Sequence, residues 1–116
     1  MAKGELVIGL DAYYPPMGFY DQDGDIVGFD IDLAIEVCAR LGIKLKTVPI
    51  NWENKEHELN SGAIDCIWNG MSVDSARASS MSLSDPYLKN GMYFVVKDSS
   101  LANMDSLMGK RIALQK

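Results

Sequence analysis

Residues 6–10 read LVIGL, an apolar run with no polar interruption. A run this short is a strand, and a strand without polar alternation is buried on both faces. Chain must therefore lie above it and below it. The periodicities that follow supply that cover. In DIDLAIEVCARLG, Ile31, Ala34, Ile35, Cys38 and Leu41 recur at three- and four-residue spacing, which predicts an amphipathic helix over about 30–41. Asp30 suits its N-cap, Asp32 its positive end, and Arg40 with Gly42 its other end. Residues 43–50 alternate apolar and polar around Lys44, Lys46 and Thr47, predicting a strand over about 44–49 that lies nearer an edge.

Residues 53–60 predict a short, weakly apolar helix closed by Gly62, and IDCIW at 64–68 a third strand. Between the first strand and the first helix, DAYYPPMGF is a loop, and Asp23-Gly24 is the turn of a small hairpin. Strand, helix, strand, helix, strand requires right-handed crossovers. The fold class expected is α/β: three-layer αβα with a mostly parallel sheet.

In open sheets of this kind a ligand crevice lies beyond the carboxyl ends of the strands. Three segments meet there: 11–19 after the first strand, Asn51-Trp52 after the second, and 69–77 after the third. The last belongs to WNGMSVDSARASS (68–80), small polar residues and one guanidinium directly behind an apolar strand. Bare backbone followed by a cation can hold a small anionic group.

Several function classes drop out. The net charge is -5 with Lys and Arg scattered, which argues against nucleic acid, since that partner needs clustered cations. No apolar run reaches the roughly 18 to 20 residues of a membrane span. The start, MAKGELVIGL, lacks an apolar h-region, so no signal peptide is expected in this chain. Cys38 and Cys66 do not define a disulfide framework, and two free buried thiols are the expectation. His57 stands alone in the charged run NKEHEL, so it reads as a solvated helix residue, and no metal or other cofactor is expected. The three alternating Asp of DQDGDIVGF carry Ile26 where a calcium loop needs Gly. Serines are numerous, but no His or other base stands near one to activate it.

Five stretches in order, GLDAYYPPMGF, DGDIVGFDIDLAIEVCARLG, LNSGAIDCIWNGMS, an Arg soon after, and SDPY, resemble the amino-acid-binding proteins of ABC importers. These are extracytoplasmic receptors with a two-lobed, hinged, type II periplasmic-binding-protein fold. The resemblance spans essentially the whole chain. It departs after the third strand, where the family's Thr-rich turn and acidic-Arg-Lys run are replaced by MSVDSARAS. It implies that residues 1–98 are a ligand-binding lobe 1, with a strand at about 92–97 leading to the hinge. Residues 99–116 would be the crossing, ending in RIALQ (111–115) as the first strand of a lobe 2 that this truncated chain lacks.

The same resemblance implies roles, residue by residue. Arg77 would hold a ligand α-carboxylate through a two-pronged pair. The Ser72 N–H would donate to that carboxylate and its hydroxyl would accept from the α-ammonium, as would the Gly70 carbonyl. Tyr14 and Trp52 would flank the ligand side chain, an arrangement suited to a cation. Asp11 would face its polar end, with Asn69 and Met71 lining the same pocket. Ordinary structural alternatives stand beside these. Asp11 can bond its own backbone, Tyr14 can pack on Pro15 and Pro16, Trp52 can plug the core, and Arg77 can pair with Asp74.

The implied function is binding of a polar amino acid (arginine, lysine, glutamine or cystine) for an ABC permease, without catalysis and weakly for a lone lobe. The alternative is the ligand module of a sensor or receptor; a dehydratase or lyase on the same fold would need a better acid than Asp11. The implied location is the periplasm or cell surface, where a lipid anchor on the parent is compatible. Exposed strands near the C-terminus would favour a homodimer.

Overall fold

The computed structural model describes residues 4–114. Residues up to Asp74 form one compact unit and those from Ser75 onward a second. In chain order the first unit runs β1 (Glu5–Leu10), β2 (Tyr13–Tyr14), β3 (Gly18–Tyr20), β4 (Ile26–Val27), α1 (Phe29–Leu41), β5 (Lys44–Pro49), a 3-10 turn (Trp52–Asn54), α2 (Lys55–Asn60) and β6 (Cys66–Ile67).

β1 is the central strand of a parallel sheet ordered β5-β1-β6. Its alternate side chains reach opposite faces, and both faces are covered. On one, Ile8 and Leu10 pack with Ile31 and Ala34 of α1, and Leu6, Ile26, Leu45, Cys66 and Trp68 close around them. On the other, Gly9 leaves room for Ile64 and Ile50; a Cβ there would lie 2.5 Å from Ile64 Cδ1. The uninterrupted LVIGL run is what this two-sided burial demands. β5 lies at one edge of the sheet, as its alternating pattern predicts. β2, β3 and β4 form a separate antiparallel ribbon, and the Asp23-Gly24 hairpin joins its last two strands. Two residues of the expected loop, Tyr13 and Tyr14, thus pair with Phe19 and Gly18.

α1 starts differently from the expectation. Its N-cap is Gly28, not Asp30, which lies fully buried in the first turn. The amides of Phe29 and Asp30 donate to the Pro16 and Met17 carbonyls at 2.9 and 3.0 Å, so backbone from the neighbouring loop does the work expected of a capping side chain. Gly28 has φ 134°, and a Cβ there would sit 2.5 Å from the Met17 oxygen, so only glycine fits. The other end matches: Gly42 takes the left-handed conformation and the Ile43 amide reaches back to Cys38 O at 3.0 Å. The buried stripe is narrower than its periodicity suggests, with Ile35 and Leu41 exposed.

The segment expected as one helix over 53–60 divides. Asn51 accepts from the Glu53 amide at 3.0 Å, tightening residues 52–54 into a 3-10 turn before α2 begins. The third strand is shorter than 64–68, because Asp65 is bound to Val7 twice, through its own amide and through Oδ2, both at 2.8 Å. Cys38 is buried, Cys66 half-buried, and both are free thiols.

The second unit contains α3 (Ser75–Ser80) and two 3-10 turns, Ser99–Leu101 and Asp105–Leu107. α3 was not expected; Ser79 Oγ donates to the Ser75 and Ala76 carbonyls within it. The strand expected over 92–97 does not form, and Met92 and Val95 are 98% and 100% exposed. A strand exists only through bonds to a neighbour, and no described strand pairs with this segment. Residues 111–114 of RIALQ form no strand either, and Gln115 lies outside the described residues.

Candidate functional site

The register of the parallel sheet brings three segments to one edge. Leu10 is the partner of Pro49, the Ile50 amide donates to Leu10 O at 2.9 Å, and the Trp68 amide donates to Gly9 O at 3.1 Å. Three strands therefore end at one level. Asp11, Asn51-Trp52 and Asn69-Gly70 leave from adjacent carboxyl ends, the crevice position of open α/β sheets.

Asp11 is half-buried, and its Oδ1 accepts from the Tyr13 amide at 2.9 Å. One carboxylate oxygen thus holds the turn into β2, the ordinary role weighed from the sequence. Tyr14 extends from β2 with its ring edge against Gly70: a Cβ on Gly70 would lie 3.4 Å from Tyr14 Cε1 and 3.2 Å from Met17 Cγ. Tyr14, Met17 and Gly70 meet here, and Met17 escaped the sequence reading because nothing local marks its reach across to Gly70.

Asn69 is 6% exposed, and its Oδ1 has no hydrogen-bond partner among the described residues. That oxygen lies 3.4 Å from where a Gly18 Cβ would stand. A buried acceptor left without a donor costs about 1–3 kcal/mol, which an incoming N–H can recover. The neighbouring Trp68 Nε1 is a buried donor in the same condition, and the sequence had shown Trp68 only as a strand residue.

Trp52 is half-buried at the start of its 3-10 turn. Lys55 Nζ stands 5.0 Å from the centre of its ring and donates to its carbonyl at 3.3 Å. Met71 is half-buried and Ser72 exposed, both continuing from Gly70. Arg77 is half-buried on α3, in the second compact unit. Among the described residues, no three His, Cys, Asp or Glu gather to hold a metal ion. Cys66 faces the core, and burial, then Asp65, then Cys38 push its thiol above its ordinary range. What the sheet edge offers is an aromatic ring, a second aromatic already facing a cation, a carboxylate and an unsatisfied buried amide oxygen. These are means of holding a small polar molecule.

Residues 6–110 match the family described as bacterial extracellular solute-binding proteins, family 3. The L-cystine-binding protein TcyJ of Escherichia coli (strain K12) is 29% identical over 97% of the chain, and the chain covers 43% of it. An ABC uptake transporter substrate binding protein from Streptococcus pneumoniae with bound histidine superposes with a TM-score of 0.72 at 43% identity, over 74% of this chain and 35% of that one. The arginine-bound form of domain 1 from TmArgBP superposes with a TM-score of 0.71 at 42% identity, over 74% of this chain and 68% of that one. The chain thus spans less than half the length of the curated relative, and its sheet is that of the first domain in such proteins. With the match running through nearly all of its 116 residues, the chain belongs to the bacterial extracellular solute-binding proteins, family 3.

Proposed function

We propose that the chain is the ligand-binding lobe of an extracytoplasmic receptor that delivers a polar amino acid to an ABC permease. Residues 1–98 would be lobe 1 and residues 99–116 the crossing towards a second lobe. The observation that carries this reading is the row of strand ends presenting Asp11, Trp52, Asn69 and Gly70 side by side, with the Asn69 amide oxygen buried and unsatisfied. The histidine- and arginine-bound states of the two similar structures support an amino acid as the ligand. The second of these is a single domain, so one lobe of this kind can be seen with arginine.

Within this reading, Arg77 and the Ser72 amide take the α-carboxylate, and the Gly70 carbonyl and Ser72 hydroxyl take the α-ammonium. Tyr14 and Trp52 border the side chain, Asp11 meets its polar end, and Asn69 and Met71 complete the wall. The role is binding without turnover: Asp11, the acid that follows β1, already spends an oxygen on Tyr13. A lone lobe leaves the ligand in contact with water, where each ionic contact is worth less, so affinity is expected to be weak.

An NMR titration of the 116-residue chain with L-arginine, L-lysine, L-glutamine, L-cystine and L-histidine tests this. Arg77→Ala is expected to weaken the best ligand by about 1.5–3 kcal/mol, roughly 10- to 150-fold. Arg77→Lys should recover part of the loss, because the charge returns without the fork. Unchanged binding in the Ala variant overturns the carboxylate role. A homodimer belongs to the same proposal, with the segment from about Met92 onward packing on, or swapping into, the partner. Its support is the near-complete exposure of Met92, Tyr93 and Val95, apolar surface that association would cover. Light scattering should find a dimer, and a monomer at high concentration overturns it.

A further inference from the structure

Lys55 had no part in the site inferred from the sequence, yet its ammonium stands over the ring of Trp52, one of the residues proposed to border the ligand. Lys55 Nζ stands 5.0 Å from the Trp52 ring centre, inside the range over which a ring quadrupole attracts a cation. It is also tied down, because it donates to the Trp52 carbonyl at 3.3 Å. Both residues are half-buried, and they are three positions apart on the 3-10 turn that runs into α2, so the contact is local and stands ready without any closure of the lobe.

We propose that Lys55 is an internal competitor for the Trp52 ring and thereby limits how far the site prefers cationic over neutral side chains. This rests on the reading of Trp52 as a wall of an amino-acid site. Two effects act in the same direction. A ring already facing one ammonium attracts a second cation less, since its electron-rich face is partly compensated. The Lys55 charge also repels a guanidinium or ammonium brought to that ring, and in a half-buried setting water screens that repulsion only partly. A neutral amide side chain meets neither penalty and still gains the ring's apolar surface. Asp11 opposes Lys55 at this edge, so the balance between the two sets the charge preference. One draws a cation and the other resists it.

Titrating the 116-residue chain and its variants with L-arginine and with L-glutamine tests the idea. Lys55→Met removes the charge and keeps an unbranched apolar stem. It should tighten L-arginine about three- to tenfold while moving L-glutamine less than about twofold. Lys55→Arg retains a cation that can stack on the ring, and it should leave the ratio of the two affinities near that of the unsubstituted chain. If Lys55 only braces the turn, Lys55→Met will weaken both ligands alike or neither, and the ratio will not move; that result overturns the inference while leaving the amino-acid site intact. If the unsubstituted chain binds neither L-arginine nor L-glutamine, this inference is overturned, and the function proposed above falls with it only when L-lysine, L-cystine and L-histidine fail to bind as well.

Discussion

The two compact units carry apolar residues to different ends. Up to Asp74, the apolar residues of β1 find partners on both faces: Ile8 and Leu10 meet α1, and Gly9 admits Ile64 and Ile50. From Ser75 onward, Met92, Tyr93 and Val95 form as apolar a stretch, yet they remain exposed and bond into no strand. The difference lies in the partners each segment has, not in composition. A strand becomes stable when a neighbour takes its N–H and C=O groups and a layer covers its faces. Where neither is present, β propensity alone does not hold the chain extended.

The largest expected effect tests that contrast directly. Ile8→Ala should cost about 2–5 kcal/mol, because it empties a fully buried position in the central strand. Val95→Ala should change stability by less than about 0.5 kcal/mol, the usual range for an exposed site. Both tryptophans, Trp52 and Trp68, lie in the first unit, so urea unfolding followed by their fluorescence reports it directly. A cost of Val95→Ala comparable to that of Ile8→Ala would break the comparison.

A second contrast concerns glycines. Gly28→Ala should cost about 3 kcal/mol, since it strains the backbone and drives a methyl into the Met17 carbonyl at the start of α1. Gly109→Ala, at φ 73° with nothing within 4 Å, should cost only about 1 kcal/mol of local strain. Fluorescence-monitored unfolding reads the first and amide hydrogen exchange the second. Equal costs would mean that the Met17 contact does not constrain the helix start.

The same contrast explains which parts of the molecule could be read from residues alone. LVIGL, the α1 periodicity and the Gly42 stop are local signals, and their elements formed near the expected places. The α1 start did not, because its first amides are taken by Pro16 and Met17, partners that only tertiary structure supplies. The 92–97 strand was inferred from apolar character and a family resemblance, and neither carries information about a bonding neighbour. At the site, Asp11 and Trp52 were readable as residue types at strand ends. Their engagements with the Tyr13 amide and with Lys55 were not, since these depend on side-chain torsions that sequence leaves open. Asn69 shows the reverse: its residue type is ordinary, and burial of an oxygen without a donor is what distinguishes it.

The smallest effects separate the units by pH, in opposite directions. In the first unit, burial of Cys66, with Asp65 and Cys38 adding to it, raises its pKa above the ordinary 9.0. The folded state then resists ionisation that the unfolded chain accepts. The contribution is fully present below pH 9.0 and is lost as pH rises through the raised folded value. Cys66→Ala should therefore lose less stability than the parent chain between neutral and alkaline pH, by the same fluorescence measurement. In the second unit, hydrogen bonds from the Ser100 hydroxyl and amide lower the pKa of Asp98 below its ordinary 3.8. Its contribution is present above pH 3.8 and is lost as pH falls through the lowered folded value. Asp98 is fully exposed, so the effect is confined to the Ser99–Leu101 turn and should appear as a shift of the Ser100 amide resonance in acid. Asp98→Asn keeps an acceptor oxygen without the titration, and the acid shift should vanish while the turn persists. If that shift survives in the Asn variant, another group governs the turn. If the parent's alkaline loss equals that of Cys66→Ala, the thiol is not what makes the first unit sensitive to base.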